Sequence, residues 1–175
     1  MSHSFSISYV KEMEKHLDEN VVILRKKIAE YADRGEAFNL KKLVQFYVVD
    51  VLGELAFSQS FGIQVADDES LVPPVIEHSL LASVTGAWPA MTFTLKKWLP
   101  KVPHKGLRAL FKGRAACASL ASRCVKRRIA TLQEAKSKGE EQRKDILTNL
   151  ILAKDPETGE KLTQTDLETE AFGFM

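Results

Sequence analysis

From Lys105 to Lys138 the chain runs without a proline, and apolar residues return every three or four positions. Leu107, Leu110, Phe111, Ala118, Ala121, Val125, Ile129 and Leu132 fall on one stripe, which predicts a single long amphipathic helix. Glycine and proline are sparse in the chain, at 9 and 6 of 175 residues, which favours long regular elements over a loop-rich β design.

The same periodicity predicts further helices. One is expected over about 8–16 and a second over 20–32, where Val21, Leu24, Ile28 and Tyr31 repeat at helical spacing. Arg25, Lys26, Lys27 and Glu30 then face outward, and Gly35 suits the C-terminal cap. Asn39 suits the N-cap of a third helix reaching Phe57. Phe46, Tyr47, Val48 and Val49 in a row would also suit a strand, but the length of the run favours a buried helix. Asp67 to Ser70 read as a loop, after which Pro73 and Pro74 open a helix to about Gly86. Trp88 to Pro103, broken by Pro89, Pro100 and Pro103, is expected to be irregular. Gly139 to Lys144 reads as a solvated charge run. Asp145 to Ala153 reads as a short helix, ended by a turn over Asp155, Pro156, Glu157, Thr158 and Gly159. Thr163 caps a last helix with Asp166 as its capping-box partner. That helix carries Leu167, Ala171 and Phe172, and its apolar pattern is still running at Met175. Residues 1–175 are therefore expected to form one incomplete, all-α domain.

Composition narrows the function classes. A hydrophobic fraction of 45% with 27% charged residues belongs to a globular chain, and a net charge of +2 offers no global field for nucleic acid. The longest apolar stretch, Leu43 to Phe57, is interrupted by Gln45, Asp50 and Glu54, so no bilayer span is expected. Met1 to Tyr9 lack a basic start followed by an apolar run, so no signal peptide is expected and the chain as written is placed in the cytoplasm. Cys117 and Cys124 are separated by about 10 Å along a helix axis. That exceeds the Cα reach of a disulfide, about 7 Å, and both read as buried thiols in a reducing compartment. His3, His16, His78 and His104 have no metal-ligand spacing with them. No Gly-rich phosphate loop and no Gly-x-Ser-x-Gly elbow occurs.

The run Tyr47-Val-Val-Asp50-Val-Leu-Gly53-Glu54-Leu-Ala-Phe57, followed by Ser60-Phe61-Gly62, resembles the helix E region of cytochrome P-450 enzymes, especially fungal ones. Phe5-Ser6 is similar to the Phe-Ser that follows the family's helix C. Asp145-Ile-Leu, the acidic turn, Leu162-Thr163 and the run Glu170-Ala171-Phe172-Gly173-Phe174-Met175 resemble helix H, its turn and the opening of helix I. The resemblance covers essentially the whole chain in the right order. It implies a partial P-450 fold, from helix D to the start of helix I, without the β-sheet and haem-binding core. It further implies a parent haem-thiolate monooxygenase that inserts one oxygen atom from O2 into an apolar small molecule, in secondary metabolism or detoxification. A reductase would be its partner and the endoplasmic reticulum membrane its place.

The family's helix C Trp-x-x-x-Arg, oxygen-activating Ala-Gly-x-x-Thr, Glu-x-x-Arg and cysteine-loop motifs fall outside these residues. No catalytic or metal-binding residue is therefore assigned, no haem is expected to bind the 175 residues alone, and the chain as written is expected to be inactive. Glu140 to Arg143 matches Glu-x-x-Arg literally, but in a polar run where chance explains it. Phe111, Gly113, Arg114 and Cys117 are similar to the cysteine loop with the wrong spacing, inside a periodic helix. A thiolate ligand needs a fixed cradle and a tuned sulfur, without which the electron push toward O–O cleavage is lost.

From His78 to Gln133 there is no Asp or Glu, while eleven Lys and Arg accumulate, densest at Arg123, Lys126, Arg127 and Arg128. A solvated helix face explains this most simply. A membrane surface is the second reading, because Trp88, Phe93, Trp98 and Leu99 lie beside Lys96, Lys97 and Lys101 in what the resemblance makes the F–G region. Nucleic acid is not expected as a partner. The resemblance also places Val84 and Thr85, at the end of helix F, and Thr169 and Gly173, on helix I, toward the substrate channel. Ordinary helix packing explains those four equally well. Three readings stay open: a piece of a monooxygenase, a non-catalytic helical module that binds membrane surfaces, and a helical bundle with no haem ancestry.

Overall fold

The computed structural model describes residues 7–139, 143, 145–155 and 157–174. Its helices are α1 (Ile7–Arg34), α2 (Leu40–Phe57), α3 (Ile63–Ala66), α4 (Val75–Gly86), α5 (Thr92–Trp98), α6 (Lys105–Lys138), α7 (Ile146–Leu152) and α8 (Gln164–Gly173). Short 3-10 turns cover Glu69–Leu71, Pro89–Met91 and Leu99–Lys101. Among the described residues there is no sheet, only an isolated bridge between Lys154 and Lys161. The class is all-α, as the periodicity requires, and among the described residues no helix is long and apolar enough to cross a membrane. Phe5-Ser6 and Glu140 fall outside the described residues.

The ends of α2, α6 and α8 follow their capping residues. Asn39 Oδ1 accepts from the Lys42 N–H. Gly139 closes α6 at φ +69°, and Thr163 with Asp166 forms a full capping box. Gly35, at φ +62°, ends α1 with the paired backbone bonds of a Schellman turn, Glu36 N–H to Tyr31 O and Gly35 N–H to Ala32 O.

Three expectations need correction. The helices placed at 8–16 and 20–32 are one helix, α1. Asn20 does not start a helix: it is buried, donates back to His16 O (2.9 Å) and accepts from Gln64 Nε2 (2.9 Å), so its amide serves a tertiary contact within an unbroken helix. Trp88 to Pro103 is not irregular throughout. Pro89 and Pro100 each stand at the start of a 3-10 turn, where a missing N–H costs nothing, and α5 lies between those turns. Finally, Ala118 is exposed. The buried line of α6 runs through Gly113, Cys117, Ala121, Cys124, Val125, Arg128 and Leu132, one position off the expected stripe at Ala118.

The core joins α2, α6, α7 and α8 through Ala56, Phe57, Ala121, Val125, Leu147, Leu150, Leu167 and Ala171. Its corner is polar. Asp145, fully buried, caps α7 by accepting from Thr148 N–H (2.7 Å) and Thr148 Oγ1 (2.7 Å). It also accepts from Ser58 Oγ (2.6 Å) and pairs with Arg128 of α6 (2.5 Å). Arg128 also donates from Nε to Thr148 Oγ1 (2.8 Å) and from Nη2 to the carbonyl of Arg143 (2.7 Å). One carboxylate thus ties the end of α2, the middle of α6 and the start of α7, and a buried ion pair satisfied this fully is expensive to open.

The segment that carries the helix E resemblance is explained by the same kind of bonding. Asp50, buried inside α2, accepts from the backbone N–H of Ile63 (3.1 Å) and Gln64 (2.8 Å), capping α3 from a distance. Gly53 lets the chain fold back: a Cβ there would lie 2.3 Å from the Gln59 carbonyl and 2.9 Å from the Phe61 ring. Ser58 (φ 51°) and Gly62 (φ +69°) take the left-handed conformations that reverse the chain. Glu54 pairs with Arg143, so the charge run after Gly139 is not wholly solvated.

Candidate functional site

No residue was assigned to catalysis; the site expectations concern a substrate channel and a surface. Val84 and Thr85 sit at the end of α4. Val84 is exposed, whereas Thr85 is buried and spends its hydroxyl on the Leu81 carbonyl (2.8 Å), leaving no free donor for a ligand. Thr169 and Gly173, one turn apart on α8, both lie on its exposed face. The Thr169 hydroxyl donates to the Thr165 carbonyl (2.9 Å), and the space beside Gly173 is open to 4 Å. Helices α4 and α8 both pack on α6. They meet where His78 stands edge-on to Phe172 (centroids 4.4 Å apart), two turns before Val84 and Thr85. Each pair therefore shares a helix, and α6 carries both helices.

That meeting point was not singled out in the sequence. Arg114 of α6 lies over the same Phe172 ring at 4.9 Å, so one phenyl ring of α8 is held by side chains from α4 and α6. Burial, and secondarily the charge of Arg114, push the His78 imidazole down from its ordinary value, which favours the neutral ring. The one sequence signal was His78 opening the acid-free stretch, with Arg114 inside it.

The surface expectation falls on the arm from Trp88 to Lys101. Trp88 is 69% exposed, Phe93 84% and Trp98 58%, while Leu99 is half-buried. Lys96 and Lys97 are exposed beside them, and Lys101 Nζ stands 4.8 Å from the centre of the Trp98 ring. The arm is fastened at its base, where Thr92 Oγ1 donates to the Thr85 carbonyl (2.7 Å). Beneath its far end lies a groove of about 500 Å³ walled by Leu80, Val102, His104, Leu107 and Leu110. A second apolar groove, of about 680 Å³, separates α2 from the 69–77 segment and exposes Val44 and Val48.

Cys117 and Cys124 are free, buried and both on α6. Burial pushes both thiols up, reinforced at Cys117 by Glu77 and only partly offset at Cys124 by Arg123 and Arg127. A cysteine that ligates haem iron does so as a thiolate facing the macrocycle. These two side chains have the opposite character, and neither lines either groove, so they do not fit that role. Phe111 to Cys117 is helix throughout, and Arg143 is committed to Glu54, which removes both literal motif matches from consideration. Among the described residues, no three His, Cys, Asp or Glu side chains converge as a metal site.

The family model described as Cytochrome P-450 matches residues 1–175. The chain is 24% identical over 175 residues to the cytochrome P-450 monooxygenase ataY of Aspergillus terreus, covering 98% of this chain and 70% of that protein. It is 29% identical over 110 residues to the cytochrome P-450 monooxygenase pkfB of Emericella nidulans, covering 60% of this chain and 20% of that protein. A bundle unrelated to haem enzymes is thereby set aside: the chain belongs to the cytochrome P-450 family.

Proposed function

We propose that residues 1–175 are the central helical part of a haem-dependent monooxygenase, one incomplete domain that does not catalyse by itself. The parent reaction inserts one oxygen atom from O2 into an apolar small molecule, with electrons from a reductase. The family match along the entire chain carries this reading. Helix α2 supports it physically: Phe46 and Val49 are buried on one side while Val44 and Val48 are exposed on another. A helix that shows apolar side chains on its outer face as well as its inner one suits packing inside a larger body. In this reading Val84, Thr85, Thr169 and Gly173 border the substrate channel, with Thr85 contributing shape rather than a hydrogen bond. Haem, which supplies the oxygen chemistry, is held by residues other than Cys117 and Cys124. The test is to express the 175 residues with excess haem and record the ferrous–carbon monoxide spectrum. No thiolate-type band is expected; a band that disappears in C117S or C124S would overturn the assignment.

The arm favours a second property of the same chain, contact with a membrane surface. Exposed indole and phenyl rings interleaved with Lys96, Lys97 and Lys101 suit an anionic headgroup layer. Co-sedimentation with vesicles containing anionic lipid, lost on replacing Trp88 and Trp98 with serine, is the expected result. Equal recovery of both proteins in the pellet, or no binding at all, would remove the membrane role.

A further inference from the structure

The contact between α4, α6 and α8 has a property that the monooxygenase reading does not use. Gly113 has no side chain, and a Cβ built there would lie 2.6 Å from the Cβ of Glu77. Helices α4 and α6 therefore touch almost backbone to backbone at this point. Their next residues, His78 and Arg114, are consequently held close together, and both rest on Phe172 of α8.

Within this corner His78 Nδ1 is buried and has no hydrogen-bond partner. For a neutral imidazole that is a modest loss, because the unpartnered atom is a bare lone pair. Protonation would make it a buried charged N–H donor with no acceptor, which costs considerably more. The charged groups around it do not compensate. On α6 the charge acting on His78 is that of Arg114, which is of the same sign. On its own helix Glu77 is turned against Gly113 and acts on Cys117. On α8 the group in contact is the uncharged Phe172 ring, whose attraction for a cation already serves Arg114.

We propose that His78 is an acid-sensitive latch for α8: neutral, it lets Phe172 seat between α4 and α6, and once protonated it drives that ring and its helix off the corner. The direction of linkage agrees. A histidine that protonates less readily when folded gives stability that is fully present above its ordinary value of 6.5 and is lost as the pH falls below it. The effect is local, because α8 is otherwise held by Leu167 and Ala171 in the core, and α7 by the Asp145 network, which contains no histidine. Phe172 belongs to the run that resembles the opening of helix I, so the latch sets the seating of that helix whether or not the monooxygenase assignment holds.

The test is backbone hydrogen exchange of the 175-residue chain at pH 7.5 and 5.5, corrected for intrinsic rates. Amides of 167–173 are expected to lose protection at pH 5.5 relative to pH 7.5, while those of α2 and α7 keep theirs. H78F, which keeps a ring but cannot titrate, should abolish the difference, and R114Q should reduce it. Should H78F fail to fold, H78Q and the R114Q comparison carry the same test. Unchanged protection of 167–173 in the native protein, a loss shared equally by α2 and α7, or the same pH response in H78F would each overturn the proposal.

Discussion

At the corner where α2, α6 and α7 meet, a fully buried carboxylate takes four donors from three parts of the chain. Along the arm from Trp88 to Lys101, by contrast, the largest apolar side chains of the molecule stand in solvent. Both regions break the simple rule of polar outside and apolar inside, in opposite directions. The corner places charge in the interior and answers it within these 175 residues. The arm places aromatic area on the surface, and nothing within the described residues covers it. The first region is therefore answered from within, whereas the second leaves its aromatic area uncovered among the described residues. Val44 and Val48, exposed on α2, side with the arm. Apolar surface of this extent makes the isolated chain prone to association.

Substitutions should separate the two regions sharply. The largest effect is expected at Asp145. D145A strands the buried Arg128 and removes the α7 cap, and should cost about 3–5 kcal/mol in urea unfolding. A loss below about 1 kcal/mol would show that the corner is not closed in solution. D50A leaves the Ile63 and Gln64 N–H groups without their acceptor and should cost about 1–3 kcal/mol, since α3 is short enough to shift toward water. G53A drives a Cβ against the Gln59 carbonyl and should lose about 1–3 kcal/mol, with the chain reversal after Phe57 displaced. Serine at Trp88, Phe93 and Trp98 together should move stability by less than about 0.5 kcal/mol per site, yet raise solubility and abolish vesicle binding. Unfolding by the triple change would mean that the arm is part of the core.

The smallest effect concerns pH. The Thr163 hydroxyl, then its backbone N–H, hold Asp166 below the usual carboxylate value of 3.8. A depressed carboxylate contributes stability above that value and loses it as the pH falls through the lowered one. The start of α8 should therefore fray only in strong acid, well below the window of His78. D166N, which cannot ionise, should remove that acid step in helix content and leave the one belonging to His78 untouched.

How much of this was legible in the sequence differs between the regions. Helices α2, α4 and α6, with the caps at Gly35, Asn39 and Thr163, follow from local rules that depend on neighbours three or four residues away. The family resemblance was equally legible, since it rests on the order of short runs. Asn20, Asp50 and Arg128 were not legible as what they are. Asn20 read as a helix start, Asp50 as an interruption of an apolar run and Arg128 as part of a solvated cluster. Each is a polar residue at a buried helical position whose partner lies far along the chain: Gln64 for Asn20, Ile63 and Gln64 for Asp50, Asp145 and Thr148 for Arg128. Local pattern carries no record of such partners. One clue was present: Arg128 falls on the inner line between Val125 and Leu132, and a basic side chain there calls for a buried acid. The contact of His78, Arg114 and Phe172 was hidden for the same reason, as it joins three helices. Val84, Thr85, Thr169 and Gly173 came from the resemblance alone.

The central claim is that these residues are the middle of a larger haem-binding monooxygenase. Reading the full transcript through both ends of this frame tests it most directly. The account predicts that the frame runs on from Met175 into Ala-Gly-x-x-Thr and later into a Phe-x-x-Gly-x-Arg-x-Cys loop. A mature transcript that stops at Met175, or continues without a cysteine loop, would contradict it.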